Sequence, residues 1–287
     1  MTNLLWRLLS SAILIGLVLA TLFACPLWVF ALVVTGFMTV ALYEFFTIVR
    51  HRGILVHRPL SVGLGVFFAV LVAWRSLIQP GYWHASLAQQ DVTVLSWAWD
   101  IFWPLTIVII FLRQFTRQNT FEALSGLATT IFGLAYIGGL FSYLFYLRAF
   151  KGEHGAWLVT YLILVTKMGD AGAYFVGRML GRHTLIARIS PRKTVEGFVG
   201  GVLTSAVTAL LAAPMVTRLA GAPVLTLFVG LLLGLLGQFG DLAESLIKRD
   251  CQVKDSGVLW PGLGGVLDVI DSLLFTAPVF YGILIYG

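Results

Sequence analysis

The chain has 287 residues, of which 59% are hydrophobic and only 11% are charged, and its formal net charge is +6. A soluble domain is closer to half apolar and one quarter charged, so the composition excludes an ordinary soluble fold and predicts an all-α polytopic membrane protein. The modest positive charge is typical of cytoplasmic loops and not of nucleic-acid binding. Two cysteines are too few for a disulfide framework.

Nine apolar segments are long enough to cross a bilayer as helices, which requires roughly 20 mostly apolar residues. The predicted spans are 8–24, 27–48, 60–78, 93–112, 123–147, 156–178, 196–217, 223–246 and 265–286. The first span also has features of a signal peptide, because Arg7 precedes it and the stretch 22–25 resembles a lipoprotein cleavage box. A second span follows at once, which favours a retained first helix.

The basic residues predict that the N-terminus is cytoplasmic and that the C-terminus lies outside. In this orientation fourteen Lys and Arg residues fall in the inner loops and four fall in the outer loops, namely Arg75, Arg148, Lys151 and Arg218. Cytoplasmic loops carry such an excess of positive charge. The two most charged loops, 178–196 and 247–264, then face the cytoplasm.

The sixth predicted span carries ionisable residues among apolar ones, which is costly in a membrane and by default indicates function. Lys167 and Asp170 are three residues apart, so they share a helix face and can pair. Tyr174 and Arg178 continue this face at spacings of four. Two interpretations stay open: a neutralised pair that joins two helices, or a polar stripe that leads to a site at the cytoplasmic end.

The basic loop after this span could simply fix the topology, but its last residues indicate more. Ser190 and Pro191 interrupt the chain just before a new helix, and helix N-termini with a neighbouring lysine attract phosphate groups. This pattern favours Lys193 as a phosphate ligand and Thr194 as the helix cap, with Gly197 in place of the usual Glu. The sequence contains no Walker-type phosphate loop, which excludes a P-loop NTPase.

Two predicted helices present paired carboxylates at the same membrane face. Asp241 and Glu244 share a face near the end of the eighth span, with Lys248 one turn later, and Asp268 and Asp271 are three apart at the start of the ninth. Carboxylates of this kind suit Mg²⁺, which binds through one or two of them together with substrate phosphates. A simpler interpretation is a charge ladder that stabilises the helix ends.

The loop between these two helices adds the features of a polyphosphate site. Arg249, Lys254 and Asp255 supply charge, and the glycine-rich turn 261–265 lets backbone N–H groups approach an anion closely. The segment therefore predicts a Mg²⁺–polyphosphate site at the cytoplasmic membrane surface. A soluble nucleotide and a lipid phosphate are the expected substrates.

Residues 160–272 resemble the phosphatidate cytidylyltransferases, also called CDP-diacylglycerol synthases. The family signature is Ser-x-x-Lys-Arg, four residues, Lys-Asp, a Pro-Gly-His-Gly-Gly turn and Asp-Arg-x-Asp. It is matched here by Ser245, Lys248, Arg249, Lys254, Asp255, Pro261, Gly262, Gly264, Gly265, Asp268 and Asp271. The stretches 170–178 and 190–197 resemble the family's second conserved region. Leu263 replaces the usual His and Val269 replaces the usual Arg, so two partners for phosphate are missing.

The resemblance implies the Mg²⁺-dependent reaction of CTP with phosphatidate to give CDP-diacylglycerol and pyrophosphate, at the inner membrane of a bacterium. It implies N-terminal transmembrane helices over 1–150 and a catalytic region over 151–287, and it is compatible with a homodimer. The implied catalytic residues are Asp241, Lys248, Arg249, Lys254, Asp255, Asp268 and Asp271, of which Asp241, Asp268 and Asp271 are the implied metal ligands. The implied substrate-binding residues are Lys167, Asp170, Arg178, Ser190, Lys193, Thr194, Gly264 and Gly265.

Three other functions stay open from the sequence. A transporter or flippase for an anionic lipid would use the same intramembrane charges, although the paired halves with interrupted helices that are typical of transporters are not found. A catalytically inactive family member would be consistent with Leu263 and Val269. A cytidylyltransferase for another lipid phosphate is also compatible, because acyl-chain contacts are apolar and unspecific. Magnesium-dependent nucleotide turnover distinguishes the first two from an enzyme.

Overall fold

The structure is a computed structural model that describes residues 2–78, 94–116, 122–150, 154–257 and 264–286, with the backbone alone at 2–11, 77–78 and 94–100. The described residues form ten α-helices and one β-hairpin. The helices are α1 (Thr2–Phe23), α2 (Leu27–His51), α3 (Arg58–Ile78), α4 (Val94–Phe115), α5 (Ala123–Gly133), α6 (Tyr143–Arg148), α7 (Gly155–Leu180), α8 (Val195–Ala212), α9 (Pro223–Asp250) and α10 (Val266–Tyr286). The hairpin joins α7 to α8 and consists of β1 (Thr184–Ile186) and β2 (Ser190–Thr194).

Helical structure lies at each of the nine predicted spans. The fifth span combines α5, a π-helical turn at Leu134–Gly139 and α6. Six segments of the described residues are long and apolar enough to cross a membrane, namely Leu27–His51, Arg58–Ser76, Ala123–Arg148, Val195–Met215, Pro223–Asp250 and Val266–Tyr286. The chain is therefore a multi-pass membrane protein, whereas the count of nine crossings and the cytoplasmic N-terminus stay predictions.

Small residues bring α7, α8 and α9 into close contact. A Cβ atom added at Gly230 of α9 would lie 2.6 Å from Ala209 Cβ and 2.7 Å from Ala206 Cα of α8, so no larger residue fits without a shift. The Ser205 hydroxyl of α8 donates a hydrogen bond to Val165 O of α7 at 3.1 Å. Close van der Waals packing and interhelical hydrogen bonds of this kind drive helix association in lipid, where burial from water contributes little.

Aromatic side chains fill the interior between the other helices. Phe68 of α3 packs on Phe102 of α4 with 4.7 Å between ring centroids, and both are buried. Tyr281 of α10 packs on Tyr143 and Tyr146 of α6 at 5.6 and 5.5 Å. One hydrophobic core therefore extends through both halves of the chain, and the division at residue 150 stays a prediction.

The hairpin is an addition to the predicted all-α architecture. Its strands are antiparallel, with Thr184 opposite Thr194. Pro191 disfavours helical geometry at Ser190, which explains why the chain is extended there. The Thr194 hydroxyl accepts the Gly197 N–H at 3.1 Å, so the predicted cap of α8 is confirmed. The hairpin connects α7 to α8, and its strand β2 lies close enough to α9 for Lys193 to contact Asp241.

Candidate active site

The candidate site lies where α9 and α10 approach each other beside α7. Gly240 of α9 rests against the backbone of α10, because a Cβ atom there would lie 2.5 Å from the carbonyl oxygen of Asp271. The next residue of α9 is Asp241, so this close approach brings carboxylates of the two helices together. Glu244 follows three residues later and shares the same helix face.

Three carboxylates form a compact group at this crossing. One oxygen from each of Asp241, Glu244 and Asp271 lies within 4.8 Å of the other two. Asp241 is half-buried, whereas Glu244 and Asp271 are buried. Oxygen donors at this separation can surround a hard divalent cation such as Mg²⁺.

Each carboxylate of this group is also contacted by the ammonium group of one lysine. The pairs are Lys193 with Asp241 at 2.6 Å, Lys248 with Glu244, and Lys167 with Asp271 at 4.0 Å. The three lysines belong to β2, α9 and α7, so the hairpin and α7 both reach the α9–α10 crossing. A cation beside a buried carboxylate offsets part of the cost of removing that charge from water.

Lys167, Asp170 and Ser272 form a closed triangle of hydrogen bonds. The Lys167 ammonium group donates to Asp170 Oδ2 at 3.1 Å and to Ser272 Oγ at 2.8 Å, and the Ser272 hydroxyl donates to Asp170 Oδ2 at 3.2 Å. The predicted pair on α7 is therefore confirmed. It joins α7 to α10, and because Lys167 also faces Asp271, it belongs to the polar group at the crossing.

Asp268 is connected to the group of three carboxylates through Lys248, which contacts both Asp268 and Glu244. Its Oδ1 accepts a hydrogen bond from Lys248 at 2.5 Å, and its Oδ2 accepts the Gly265 N–H at 2.7 Å and the Ser256 N–H at 3.0 Å. Gly264 precedes this turn with φ of +89°, a conformation that favours glycine. The Asp268 carboxylate is thus held by the loop on one side and by Lys248 on the other.

Glu244 is the most deeply buried acid of the site. Its side chain is 0% exposed; Oε2 contacts the Lys248 ammonium group, whereas Oε1 has no hydrogen-bond partner among the described residues. Five carboxylates share ion pairs with only three lysines, and they are Asp170, Asp241, Glu244, Asp268 and Asp271. Two formal negative charges are therefore uncompensated within these pairs, and buried charge is costly unless it is paired or coordinates a metal.

The sequence model of the protein family described as the cytidylyltransferase family matches residues 5–286, which is nearly the whole chain. The chain belongs to the cytidylyltransferase family. The predicted resemblance is confirmed, and with it the enzyme class of a nucleotidyltransferase.

Individual relatives of this cytidylyltransferase agree with the family match. A protein named phosphatidate cytidylyltransferase from Bacillus subtilis (strain 168) is 33% identical over 259 residues, which cover 89% of this chain and 88% of the relative. One of the same name from Chlamydia pneumoniae is 33% identical over 276 residues, which cover 89% and 83%. An Escherichia coli (strain K12) protein named uncharacterized protein YnbB is 42% identical over 161 residues, 56% of this chain and 52% of that protein.

Some predicted site residues of this cytidylyltransferase serve to hold the surrounding loops. Arg249 donates to the carbonyl oxygens of Ile189 at 3.1 Å and Val253 at 3.2 Å, so it fastens the hairpin to the segment after α9. Ser190 is half-buried at the start of β2. These contacts give Arg249 a structural role in the segments that flank the site.

Other predicted residues lie farther toward solvent. Arg178 is exposed and donates to the Tyr174 hydroxyl at 3.2 Å, while Lys254 and Asp255 are exposed in the segment after α9. Val269, one of the two departures from the family signature, is half-buried on α10. The predicted positions Lys151, Pro261, Gly262 and Leu263 lie outside the described residues.

The sequence predictions missed Glu44 and Tyr136, which lie in the first half of the chain. Glu44 of α2 accepts hydrogen bonds from the start of α10. The rule that a charge inside an apolar span indicates function would have found it. Tyr136 is buried, its hydroxyl has no hydrogen-bond partner among the described residues, and its ring packs 6.2 Å from that of Phe275. It lies in the π-helical turn, a distortion frequent at functional sites that no sequence pattern reveals.

Proposed function

We propose that this cytidylyltransferase transfers CMP from CTP to phosphatidate, giving CDP-diacylglycerol and pyrophosphate for phospholipid biosynthesis. The observation that carries the proposal is the cluster of lysines and carboxylates that α7, β2, α9 and α10 build in a membrane-embedded chain. The ammonium groups suit phosphates, and the apolar helices suit a lipid substrate. The names of the relatives that align with 89% of the chain support the same pair of substrates.

Magnesium is the cofactor that suits the carboxylates of α9 and α10. We propose as candidate ligands Asp241, Asp268 and Asp271, which the sequence predicted, together with Glu244, which lies within 4.8 Å of Asp241 and Asp271. The fit rests on the buried Oε1 of Glu244, which has no hydrogen-bond partner among the described residues, and on the two formal charges that the three lysines leave uncompensated. When bound, Mg²⁺ would neutralise charge on the phosphates of CTP.

The phosphates of CTP are assigned to the cationic end of α9 and the loop that follows it. Lys248, Arg249 and Lys254 would hold these phosphates and stabilise the departing pyrophosphate. Lys248 suits this role because its ammonium group lies between Glu244 and Asp268, two of the proposed metal ligands. Asp255 and the glycines at 264 and 265 would lie beside the same phosphates.

The lipid phosphate is assigned to the side formed by α7 and β2. Lys167, Lys193 and Arg178 would contact it there, while Asp170 orients the Lys167 ammonium group through its 3.1 Å hydrogen bond. Ser190 and Thr194 shape the hairpin that carries Lys193. This division gives each substrate its own set of cations on either side of Asp241 and Asp271.

The reaction needs positioning and charge neutralisation more than proton transfer. An oxygen of the phosphatidate phosphate attacks the α-phosphorus of CTP and forms a new P–O bond. The bond from that phosphorus to the oxygen bridging the β-phosphorus breaks, and pyrophosphate departs with the electron pair. The attacking oxygen is already anionic at neutral pH, so no strong general base is required. The apolar surroundings would limit hydrolysis of CTP by excluding water.

The site would face the cytoplasm at the inner membrane of a bacterium, where a soluble nucleotide can reach it. The excess of basic residues in the loops on that side supports this orientation. A homodimer is compatible with the proposal. It is not required for the site, because all of the proposed ligands come from one chain. Labelling of single cysteines introduced into the loops 178–196 and 220–222 would test the orientation, since only the first should be protected from an external reagent.

The proposed reaction is tested with purified protein in detergent, by measuring pyrophosphate release and CDP-lipid formation from CTP. The assay is run with and without phosphatidate and Mg²⁺, and with a polyprenyl phosphate in place of phosphatidate. Product that requires phosphatidate and Mg²⁺ supports the proposal. Product with the polyprenyl phosphate alone would identify a different lipid substrate. The absence of any product, beside an active relative as control, would favour an inactive member or a transporter.

A further inference from the structure

A buried carboxylate from the first half of the chain holds the start of α10. Glu44 of α2 is 6% exposed. Its Oε1 accepts the Val266 N–H at 3.0 Å, and its Oε2 accepts the Leu267 N–H at 2.8 Å. These are the first two residues of α10. A side chain 222 residues earlier in the sequence therefore caps the helix that carries Asp268 and Asp271.

The cap is needed because of the local sequence. The first N–H groups of a helix have no acceptor within the helix. Gly264 and Gly265 precede α10 and have no side chain that could accept these hydrogen bonds. A carboxylate also interacts favourably with the positive end of the helix dipole. Glu44 thus has hydrogen-bond partners for both of its buried oxygens, and the Val266 and Leu267 N–H groups receive acceptors.

Glu44 is also connected to Asp268 through Ser256. The Ser256 hydroxyl lies 3.2 Å from Glu44 Oε2 and 2.9 Å from Asp268 Oδ2, within donating distance of both carboxylates. The Ser256 N–H and the Gly265 N–H donate to Asp268 as well. The position of Ser256 relative to Glu44 therefore bears directly on the orientation of the Asp268 carboxylate.

The surroundings leave the Glu44 carboxylate little freedom to move. A Cβ atom on Gly265 would lie 2.5 Å from Glu44 Oε2, and one on Gly257 would press on Oε1. Two glycines thus allow the loop to close over the carboxylate. This packing specifies one geometry for the start of α10, which is the property expected of a group that aligns other residues.

We propose that Glu44 is a positioning residue for the active site. It fixes the N-terminus of α10 and Ser256, and through them it sets the orientation of Asp268 and Asp271 relative to Asp241. This role requires no contact with either substrate. The inference builds on the proposed function, and it gives the N-terminal helices a part in the reaction that the sequence did not suggest.

The test is the substitution Glu44→Gln, which keeps the size of the side chain but replaces one acceptor oxygen with an amide that faces an N–H donor. Purified protein without substrates is titrated with Mn²⁺, a hard cation that carboxylates also bind, and bound Mn²⁺ is measured by electron paramagnetic resonance. We expect Mn²⁺ affinity to fall about 10- to 100-fold, as is usual when a group that orients metal ligands is lost. The control is Glu122→Gln, which removes the same charge at an exposed position before α5 and should leave Mn²⁺ affinity unchanged.

Two further measurements separate positioning from a merely structural role. Amide hydrogen exchange of the peptide 264–272 should accelerate in Glu44→Gln, and the Mg²⁺ concentration for half-maximal turnover should rise together with the Mn²⁺ dissociation constant. If Glu44→Gln only lowers the melting temperature, while the folded protein binds Mn²⁺ as the wild type does, the inference is wrong.

A second variant keeps the test decisive if Glu44→Gln does not fold. Ser256→Ala leaves the cap of α10 intact and removes the hydroxyl between the two carboxylates. We expect a smaller loss of Mn²⁺ affinity in the same direction, and unchanged affinity would overturn the inference. The Mn²⁺ readout is independent of the substrate: a wild type that makes no CDP-lipid contradicts the proposed function, whereas its Glu44-dependent Mn²⁺ affinity would still support the role of Glu44.

Discussion

The two halves of the molecule are held together in different ways. In α7–α9 the contacts are made by Gly, Ala and Ser, which let backbones approach and let short polar side chains meet across helices. In α2–α4 large aromatic rings make many of the contacts, as at Phe68 and Phe102. The close approach of α7, α8 and α9 brings the polar site residues within reach of one another. The aromatic half contributes Glu44, which caps the N-terminus of α10. The proposed site residues thus lie in the second half of the chain, and the residue that caps α10 lies in the first half.

Removal of a carboxylate from α10 should have the largest effect of any single change in this comparison. Asp268→Asn should lower turnover more than about 100-fold while the protein still inserts, because even a group that only orients a metal ligand contributes 10- to 100-fold. The measurement is CDP-lipid formation by purified protein. Asp250→Asn, at an exposed ion pair with Arg52, is the control and should have near-normal activity.

The same assay tests whether Asp268 or Glu244 is the more important Mg²⁺ ligand beside Asp241 and Asp271. If Asp268 is a ligand, its substitution should be at least as harmful as Glu244→Gln. If Glu244 completes the set, as the grouping with Asp241 and Asp271 suggests, Glu244→Gln should raise the required Mg²⁺ concentration more than Asp268→Asn does. Near-normal activity of Asp268→Asn would remove Asp268 from the site.

Loss of the intramembrane lysine of α7 should come next. Lys167→Met leaves the buried Asp271 without its facing cation and breaks the hydrogen bonds to Asp170 and Ser272. Removing one partner of a fully buried pair typically costs about 3–5 kcal/mol. Lys167 is half-buried, so we expect a smaller loss of stability together with reduced turnover. Expression, melting temperature and activity are measured beside Lys151→Met, whose lysine falls outside the predicted spans. Equal tolerance of the two changes would contradict a role for Lys167 in joining α7 to α10.

A change of helix packing should have a smaller effect, seen in stability. Gly230→Ala places a Cβ atom against Ala209 and Ala206 of α8, and overpacking of this kind costs roughly 1–3 kcal/mol. In α2, a Cβ atom at Gly36 meets nothing within 4 Å, so Gly36→Ala should be neutral or slightly stabilising. Thermal unfolding in detergent compares the two. A higher melting temperature for Gly230→Ala would show that α8 and α9 can separate without cost.

The helices and the charged faces were predictable because their signals are local. Apolar runs located helical structure at all nine spans, and i, i+3 spacing placed Lys167 with Asp170 and Asp241 with Glu244. The hairpin was not predicted, because its three- and five-residue strands carry no clear alternation. The basic loop nevertheless drew attention to Lys193, which the structure brings to Asp241.

Contacts between distant segments could not be predicted from spacing. The cap that Glu44 provides for α10 depends on how α2 packs against α10, and no pattern within either helix records that packing. Likewise, the sequence paired Asp268 with Asp271 by their separation, whereas the structure turns Asp268 toward Lys248 and Ser256 and turns Asp271 toward Asp241. Periodicity gives the face of a helix, but the partner of each carboxylate is set by the tertiary arrangement.

Leu263→His should have the smallest effect and tests the glycine-rich turn before α10. The family signature has His at this position, and a histidine N–H can donate to a phosphate whereas leucine cannot. If the turn contacts CTP, the substitution should raise kcat/KM for CTP by up to about tenfold, the equivalent of one net hydrogen bond of roughly 1 kcal/mol or slightly more. Leu263→Gln is the matched control, since its amide donates from a different position. An unchanged kcat/KM would indicate that the cations of α9 hold the phosphates without the turn, and that the departure from the signature is tolerated because the carboxylates and lysines of α7, α9 and α10 are retained.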